Sequence, residues 1–227
     1  MDCEDFEEET TKESEFVKSY LLILLDTDES MFEYNESLNG PTFDVALKSC
    51  YDILDALLLK MKHTKNQISI MTTSEDLSKS MLCRFTDPLP TSLKKLRDIC
   101  DLKSEDLKER FCRKGSLNVA DLLLQCNTKF KYFEYTDTKI VAYVTQRDDL
   151  STSNQAKYHA VNQARNFADF NIRIELLTFN SDFNYMLYFY ELFQAAESNF
   201  NHEYLPNENG FKDKVLSLVR YRGTNVK

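Results

Sequence analysis

The stretch Tyr20-Leu21-Leu22-Ile23-Leu24-Leu25-Asp26, residues 20–26, decides the fold class. A continuous apolar run of this length that ends at an acid is typical of a β-strand buried on both faces, as in a parallel sheet. A strand of this kind needs helices on both sides of the sheet to cover it. The stretch therefore predicts a layered domain in which helices pack on a central sheet.

The rest of the chain alternates between strand and helix patterns. Strands are predicted over 67–72, 139–145 and 172–179, and helices over 43–61, 92–100, 104–111, 118–133, 153–169, 183–196 and 211–222. The helix predictions rest on apolar residues that recur at spacings of three and four. Strand followed by helix, repeated, predicts an α/β fold, a doubly wound, mostly parallel sheet with helices on both faces. Sites in such folds gather at the carboxyl ends of the strands.

Charge is concentrated at one end of the chain. Residues 1–15 contain eight acids and one lysine, a balance of -7 in a chain of 227 residues whose net charge is -9. We expect an acidic, flexible tail over 1–17, one domain over 18–200, and a C-terminal linker with a basic helical segment over 201–227. Because acids repel phosphate, the overall charge does not indicate a nucleic-acid-binding surface.

The sequence lacks the motifs of most enzymes and cofactor-binding proteins. The four glycines stand isolated, so the sequence contains neither GxxxxGKS/T nor GxGxxG, the two glycine-rich loops that hold nucleotide phosphates. It also contains no GxSxG turn, the motif that presents a nucleophilic serine. The six cysteines lie far apart without a CxxC pair, which favours buried, reduced thiols. An acidic N-terminus and the absence of a long apolar run predict an intracellular protein with no membrane contact. We expect no cofactor.

One loop has the pattern of a metal site. Asp26, Asp28 and Ser30 alternate after the first strand, and Ser116 and Asp148 could complete a shell of oxygen ligands. Carboxylates are also common at strand ends without binding any ion. Both interpretations stay open from the pattern alone.

The helix predicted over 153–169 has a polar outer face that includes Lys157, Arg165, Asn166 and Asp169. Such a face is either simply solvated or a ridge on which another protein docks.

Several segments, in order, resemble the von Willebrand A-like domain of the smaller Ku subunit. They are Leu24-Leu25-Asp26, Ser30-Met31-Phe32-Glu33, Pro41-Thr42-Phe43-Asp44, Tyr143-Val144-Thr145-Gln146-Arg147-Asp148-Asp149, Gln155-Ala156-Lys157, the strand 172–177, Phe183-Asn184 and Tyr188-Phe189-Tyr190. The resemblance spans residues 15–222 and includes the acidic segment before the first strand. It implies a von Willebrand A-like, Rossmann-like fold.

The resemblance also implies a function. Ku pairs a smaller and a larger subunit, encircles double-stranded DNA ends, and serves non-homologous end joining and telomere maintenance in the nucleus. The chain would then be a protein-docking module of that heterodimer, contacting end-joining and telomere factors. The β-barrel of Ku that encircles DNA is not in this sequence, and the basic residues Lys212, Lys214, Arg220 and Arg222 resemble the linker that leads into it.

For the sites, the resemblance implies vestiges rather than a working metal centre. In the family the metal pattern is degenerate, and here Asp28 stands where an active version would have a serine, so no metal is expected at Asp26, Asp28, Ser30, Ser116 and Asp148. Partner contacts would fall on Arg165, Asn166 and Asp169, of which only Asp169 matches the family in residue type. No catalytic residue is predicted, and the missing phosphate loop argues against the ATP-dependent helicase activity credited to Ku.

Two alternatives remain from the sequence. One is a metal-dependent von Willebrand A-type ligand-binding domain, in which the strand-end oxygens hold magnesium and leave a position for a ligand carboxylate. The other is an α/β enzyme in which strand-end carboxylates act as acid and base, although no nucleophile or cofactor loop accompanies them.

Overall fold

The computed structural model describes residues 18–60, 66–74, 80–148, 153–197 and 200–220. The flexible tail predicted over 1–17 lies outside the described residues, as do Asp149 and Arg222. Among the described helices, none combines the length and the apolar character that crossing a membrane requires.

The strands and helices follow the predicted alternation. The strands are β1 (Ser19–Leu25), β2 (Tyr34–Asn35), β3 (Gly40–Pro41), β4 (Gln67–Thr72), β5 (Met81–Cys83), β6 (Thr138–Val144), β7 (Ile172–Thr178) and β8 (Phe200–Tyr204). The helices are α1 (Thr42–Lys60), α2 (Leu89–Cys100), α3 (Ser104–Phe111), α4 (Val119–Phe130), α5 (Asn154–Asp169), α6 (Phe189–Ala195) and α7 (Glu208–Arg220).

Six of the described strands form one sheet in the order β5-β4-β1-β6-β7-β8. All neighbouring pairs are parallel except β4 and β5, which are antiparallel. In β1, which lies between β4 and β6, Leu25 pairs with Thr72 and with Val144. The doubly wound, mostly parallel sheet predicted from the sequence is therefore confirmed, with an antiparallel strand at one edge.

The core has two layers, one on each face of the sheet. Leu21, Ile23 and Leu25 of β1 pack with α1, α2, α3 and α7, whereas Tyr20, Leu22 and Leu24 pack with α4, α5 and α6. Successive side chains of a strand point to opposite faces, which is why the whole β1 run is apolar. Every residue of β1 is buried.

The end of the domain differs from the prediction. β8 pairs with β7, and α7 buries Phe211 and Val215 completely against the α1 side of the sheet. Residues 200–220 thus pack with the rest of the described domain, beyond the boundary predicted at residue 200. Lys212 and Lys214 were assigned to a basic linker, but they form ion pairs with Asp52 and Glu175, respectively.

Smaller differences have local causes. The helix predicted from Phe183 begins only at Phe189, because turns precede it in which the side chains of Asn180 and Asn184 accept the backbone N–H groups of Asp182 and Met186. β5 was not predicted, since three residues are too few to show a periodicity. Asn118 caps α4, because its side chain accepts the N–H of Asp121. The thiols of Cys50, Cys83 and Cys126 are free and buried.

Candidate functional site

Three neighbouring strands end in polar residues at the same edge of the sheet. Asp26, Thr73 and Thr145 directly follow β1, β4 and β6. Backbone hydrogen bonds continue the ladder past the strand ends, from Asp26 N to Val144 O (2.9 Å) and from Thr73 N to Leu25 O (3.0 Å). The three side chains therefore converge over the carboxyl edge of the sheet, where sites of this architecture form.

Asp26 is the centre of this cluster and is fully buried. Its Oδ1 accepts the Thr73 hydroxyl at 2.8 Å and the backbone N–H of Thr27 at 2.8 Å. Its Oδ2 accepts the hydroxyls of Thr145 at 2.8 Å and Tyr143 at 3.2 Å. Each carboxylate oxygen has at least two donors, which is how a protein keeps a buried carboxylate without water.

The positive charge opposite Asp26 comes from Arg113, in the loop between α3 and α4. Its guanidinium Nη1 lies 3.3 Å from Asp26 Oδ1 and its Nη2 lies 3.3 Å from Asp28 Oδ2. The Nε donates to Gly115 O at 2.9 Å, and the side chain is only 1% exposed. The loop is held in place by a hydrogen bond from Arg113 N to Thr27 O at 2.8 Å. Arg113 thus bridges both carboxylates from inside the protein.

Asp28 lies at the rim of the cluster and has a second cationic partner. Arg147 Nη1 contacts its Oδ2 at 2.8 Å, and its Oδ1 accepts the Ser30 hydroxyl at 2.9 Å. Burial alone would raise the pKa of Asp28, but the hydrogen bonds from Arg147 and Ser30 and the charge of Arg147 outweigh it and lower that pKa. Two carboxylates and two guanidiniums therefore form a compact, charge-balanced network.

This network does not fit a divalent cation. A magnesium or manganese ion would need the oxygens of Asp26 and residue 28 as ligands, and Arg113 already uses one oxygen of each. A serine at position 28 would offer a neutral ligand, whereas Asp28 adds a charge that Arg113 and Arg147 neutralise. The guanidinium group of Arg113 thus does electrostatically what a metal ion would do, and it also brings directed hydrogen bonds.

Tyr143 completes the floor of the cluster without adding charge. Burial, followed by the charge of Asp26, raises its pKa well above the ordinary value of a phenol. The hydroxyl therefore stays protonated and can donate to Asp26.

The sequence-predicted metal ligands divide into two groups. Asp26, Asp28 and Ser30 are brought together. Ser116 is exposed, and Asp148 accepts the N–H of Asn184 at 2.9 Å instead of facing Asp26. In the part of the chain that the structure describes, no group of three or more His, Cys, Asp or Glu side chains is arranged to hold a metal.

Sequence reasoning missed Arg113, which is 87 positions from Asp26. The one sequence feature that pointed to a buried cation at this site was Asp28. A second carboxylate two residues after a buried strand-end aspartate needs cations nearby, yet nothing in the sequence says which of the many basic residues supplies them.

A second feature involves the partner-contact residues predicted on α5. Arg165 and Asp169 line an open groove of about 530 Å³ between α5 and α6, which we call the α5–α6 groove. Its other lining residues are Val161, Ala168, Glu191, Gln194, Ala195 and Glu197. A salt bridge of 2.9 Å from Lys157 to Glu191 ties the two helices together beside the groove.

The other predicted contact residue is placed differently. Asn166 is half-buried and donates to Gln163 along its own helix, so it does not line the groove. Tyr158 lies on the same helix seven positions before Arg165, and its side chain is 61% exposed. Residues seven apart share a helix face, so this tyrosine extends the surface next to the groove. Tyr158 was not among the predicted contact residues.

Known structures of similar fold include a von Willebrand A domain. No protein-family model and no curated protein sequence matches the chain. The VWA domain of SpRpn10 is 15% identical with a TM-score of 0.56, and the match covers 88% of this chain and 94% of that one.

Two further solved structures match a similar share of this chain. The manganese-loaded TRAP protein of Plasmodium vivax is 11% identical with a TM-score of 0.52, over 89% of this chain and 72% of that one. A mutant of the PilB minor pilin from Streptococcus sanguinis is 10% identical with a TM-score of 0.60, over 90% of this chain and 61% of the pilin. At these identities the likeness concerns the fold alone. The sheet order, the two helical layers and these matches together establish that the chain has a von Willebrand A-like α/β fold.

Proposed function

We propose that the chain is the docking domain of a Ku-type subunit, working in a heterodimer with the larger Ku subunit. In that role the heterodimer binds double-stranded DNA ends in the nucleus and serves non-homologous end joining and telomere maintenance. The domain contributes a surface for end-joining and telomere factors. DNA is contacted through the heterodimer, mainly at phosphates.

The observation that carries the proposal is the α5–α6 groove. The resemblance to the smaller Ku subunit assigns partner contacts to α5, and two of its three assigned residues, Arg165 and Asp169, line this groove. The groove combines an apolar floor of Val161, Ala168 and Ala195 with charged walls. That combination suits a protein side chain or a short segment of a partner better than a small metabolite, because the groove is open to solvent.

The charge network at Asp26 supports docking without a metal. In a metal-dependent domain, the ion would offer an open position to a ligand carboxylate. Here the carboxylates are already matched by Arg113 and Arg147, so their oxygens are not free to hold an ion. This charge balance weighs against the metal-dependent ligand-binding alternative.

The first test is DNA-end binding with and without the larger Ku subunit. A labelled blunt-ended duplex is titrated by fluorescence anisotropy over a range of salt concentrations. We expect weak binding by the chain alone, whose net charge is -9, and tight, end-dependent binding only with the partner subunit. Failure of the two subunits to form a complex would rule out the Ku assignment.

The second test addresses the groove. Arg165→Glu combined with Asp169→Arg reverses both charges, and Asp98→Arg on the exposed face of α2 is the matched control. We expect the double variant to keep heterodimer formation and DNA-end binding but to reduce binding of end-joining factors to the immobilised heterodimer–DNA complex about tenfold or more. Equal binding by the double variant and the control would place the docking surface elsewhere.

A further inference from the structure

The pole of the domain opposite Asp26 carries a surface that the docking role does not use. The segment from 129 to 135 reads KFKYFEY and covers the end of α4 and most of the loop that leads to β6. Its Tyr132 is 84% exposed and Tyr135 is 65% exposed, and Phe170, at the end of α5, is 49% exposed. Large aromatic side chains that are this accessible, and this close in sequence, are unusual on a monomer surface and mark a binding site.

Each tyrosine is paired with a lysine ammonium. Lys131 Nζ lies 5.1 Å from the centre of the Tyr132 ring, and Lys139 Nζ lies 5.9 Å from the centre of the Tyr135 ring. A ring that is largely exposed and has a cation over one face keeps its other face open to solvent. Lys139 is only 3% exposed and donates to Phe170 O at 3.3 Å, so it connects Tyr135 and Phe170 from beneath the surface.

The charge around these rings is locally positive. Lys18, Lys129, Lys131 and Lys139 lie in or beside the segment, together with Glu134 and Asp137. Both oxygens of Asp137 are occupied, since they accept the backbone N–H groups of Lys18 at 3.3 Å and of Glu134 at 3.1 Å. The local excess of lysine contrasts with a chain whose net charge is -9.

We propose that the surface formed by Lys131, Tyr132, Tyr135 and Phe170 binds single-stranded nucleic acid. The exposed rings of the two tyrosines stack unpaired bases, and the exposed ammonium group of Lys131 attracts the phosphates between those bases.

Single strands fit this surface better than a duplex or an acidic peptide. The bases of a duplex are already stacked on each other, so exposed tyrosine rings have no partner there. An acidic peptide would satisfy the lysines but would leave the flat ring faces without a planar partner. The eight acids in residues 1–15 supply much of the chain's net charge of -9, and that charge opposes phosphate binding. We therefore expect affinity in the micromolar range rather than tighter.

The inference does not rest on the docking role, and its test uses the full chain without a partner. Labelled oligothymidylate and oligouridylate of about ten nucleotides, and a duplex of the same length, are titrated at low salt by fluorescence anisotropy. We expect binding of single strands, weaker binding of the duplex, and a loss of about fivefold or more for Tyr132→Ala and for Tyr135→Ala. Lys131→Gln should reduce the slope of log affinity against log salt by about 0.7.

Conservative variants and a distant tyrosine separate stacking from a general structural effect. Tyr132→Phe and Tyr135→Phe keep the ring and should bind like the unchanged chain. Tyr34→Ala is the matched control, because Tyr34 is also 65% exposed but lies between β1 and α1. Absence of single-strand binding, tighter binding of the duplex, or equal losses in Tyr34→Ala and Tyr132→Ala would overturn the proposal. Thermal melting of each variant verifies that it is folded.

Discussion

Replacing Arg113 by methionine tests whether this arginine takes the place of a metal ion. Methionine keeps most of the buried volume but removes the charge and the hydrogen bonds to Asp26, Asp28 and Gly115. Asp26 would keep its donors from Thr27, Thr73, Thr145 and Tyr143, but its nearest cation would be gone.

The size of the effect follows from the burial of both partners, which are 1% and 0% exposed. Breaking a buried ion pair by removing one side costs about 3–5 kcal/mol. The hydrogen-bond donors that remain around Asp26 place the expected loss near the lower end, at about 3 kcal/mol. For a domain of roughly this length that corresponds to a fall in Tm of about 6–12 °C. A double variant, Arg113→Met with Asp26→Asn, leaves neither charge unpaired and should recover part of the loss.

The assay is thermal and urea unfolding, each with and without magnesium or manganese. We expect no change in Tm for the unchanged chain when the metal is added. Arg113→Ala with Asp28→Ser vacates the guanidinium position and restores a serine, so its Tm should rise with metal concentration. Metal-dependent stabilisation of the unchanged chain, or an Arg113→Met variant as stable as the unchanged chain, would refute the reasoning.

Three further outcomes are expected. Asp28 has a lowered pKa in the folded state, so the stabilisation that its charge provides is present at neutral pH and is lost as the pH falls through that pKa. The difference in Tm between the unchanged chain and Arg147→Gln should therefore shrink below about pH 4. A difference in Tm that is constant with pH would contradict this prediction. Phe211→Ala should reduce the free energy of unfolding by about 3–5 kcal/mol in urea, whereas a residue in a linker outside the domain would have almost no effect. Burial raises the pKa of the Cys126 thiol to about 12, so mass spectrometry should find it modified by a thiol reagent at pH 8 only after unfolding; rapid modification of the folded chain would show that it is accessible.

Local patterns were sufficient for most of the fold. The run from Tyr20 to Leu25 in β1 is apolar throughout because both faces of that strand are covered, and this requirement is visible in six consecutive residues. The helices α1 and α5 were predicted from their spacing of apolar residues almost to their ends. β8 was missed because it is an edge strand whose sequence, FNHEY, is mostly polar and lacks the apolar run of a central strand.

The candidate sites depend on contacts between distant parts of the chain. The sequence could place Asp26, Asp28 and Ser30 together, because they share one loop. It could not place Asp148, since the direction of a loop after a strand depends on its neighbours, here the backbone of Asn184. The docking residues on α5 came from the resemblance, and only the packing of α6 beside them shows that Arg165 and Asp169 line a groove while Asn166 does not.

The sequence by itself determined the class of fold and the location of the polar edge, because apolar periodicity and strand-end acids are properties of neighbouring residues. Only the tertiary structure decided what that edge can do. It brings Arg113 across 87 positions to Asp26, and with the guanidinium in place the pattern of a metal site becomes an internal ion-pair network. The physical reason is that burying a carboxylate requires a matching cation within hydrogen-bond distance, and the choice of that cation is made by packing between segments remote in the chain.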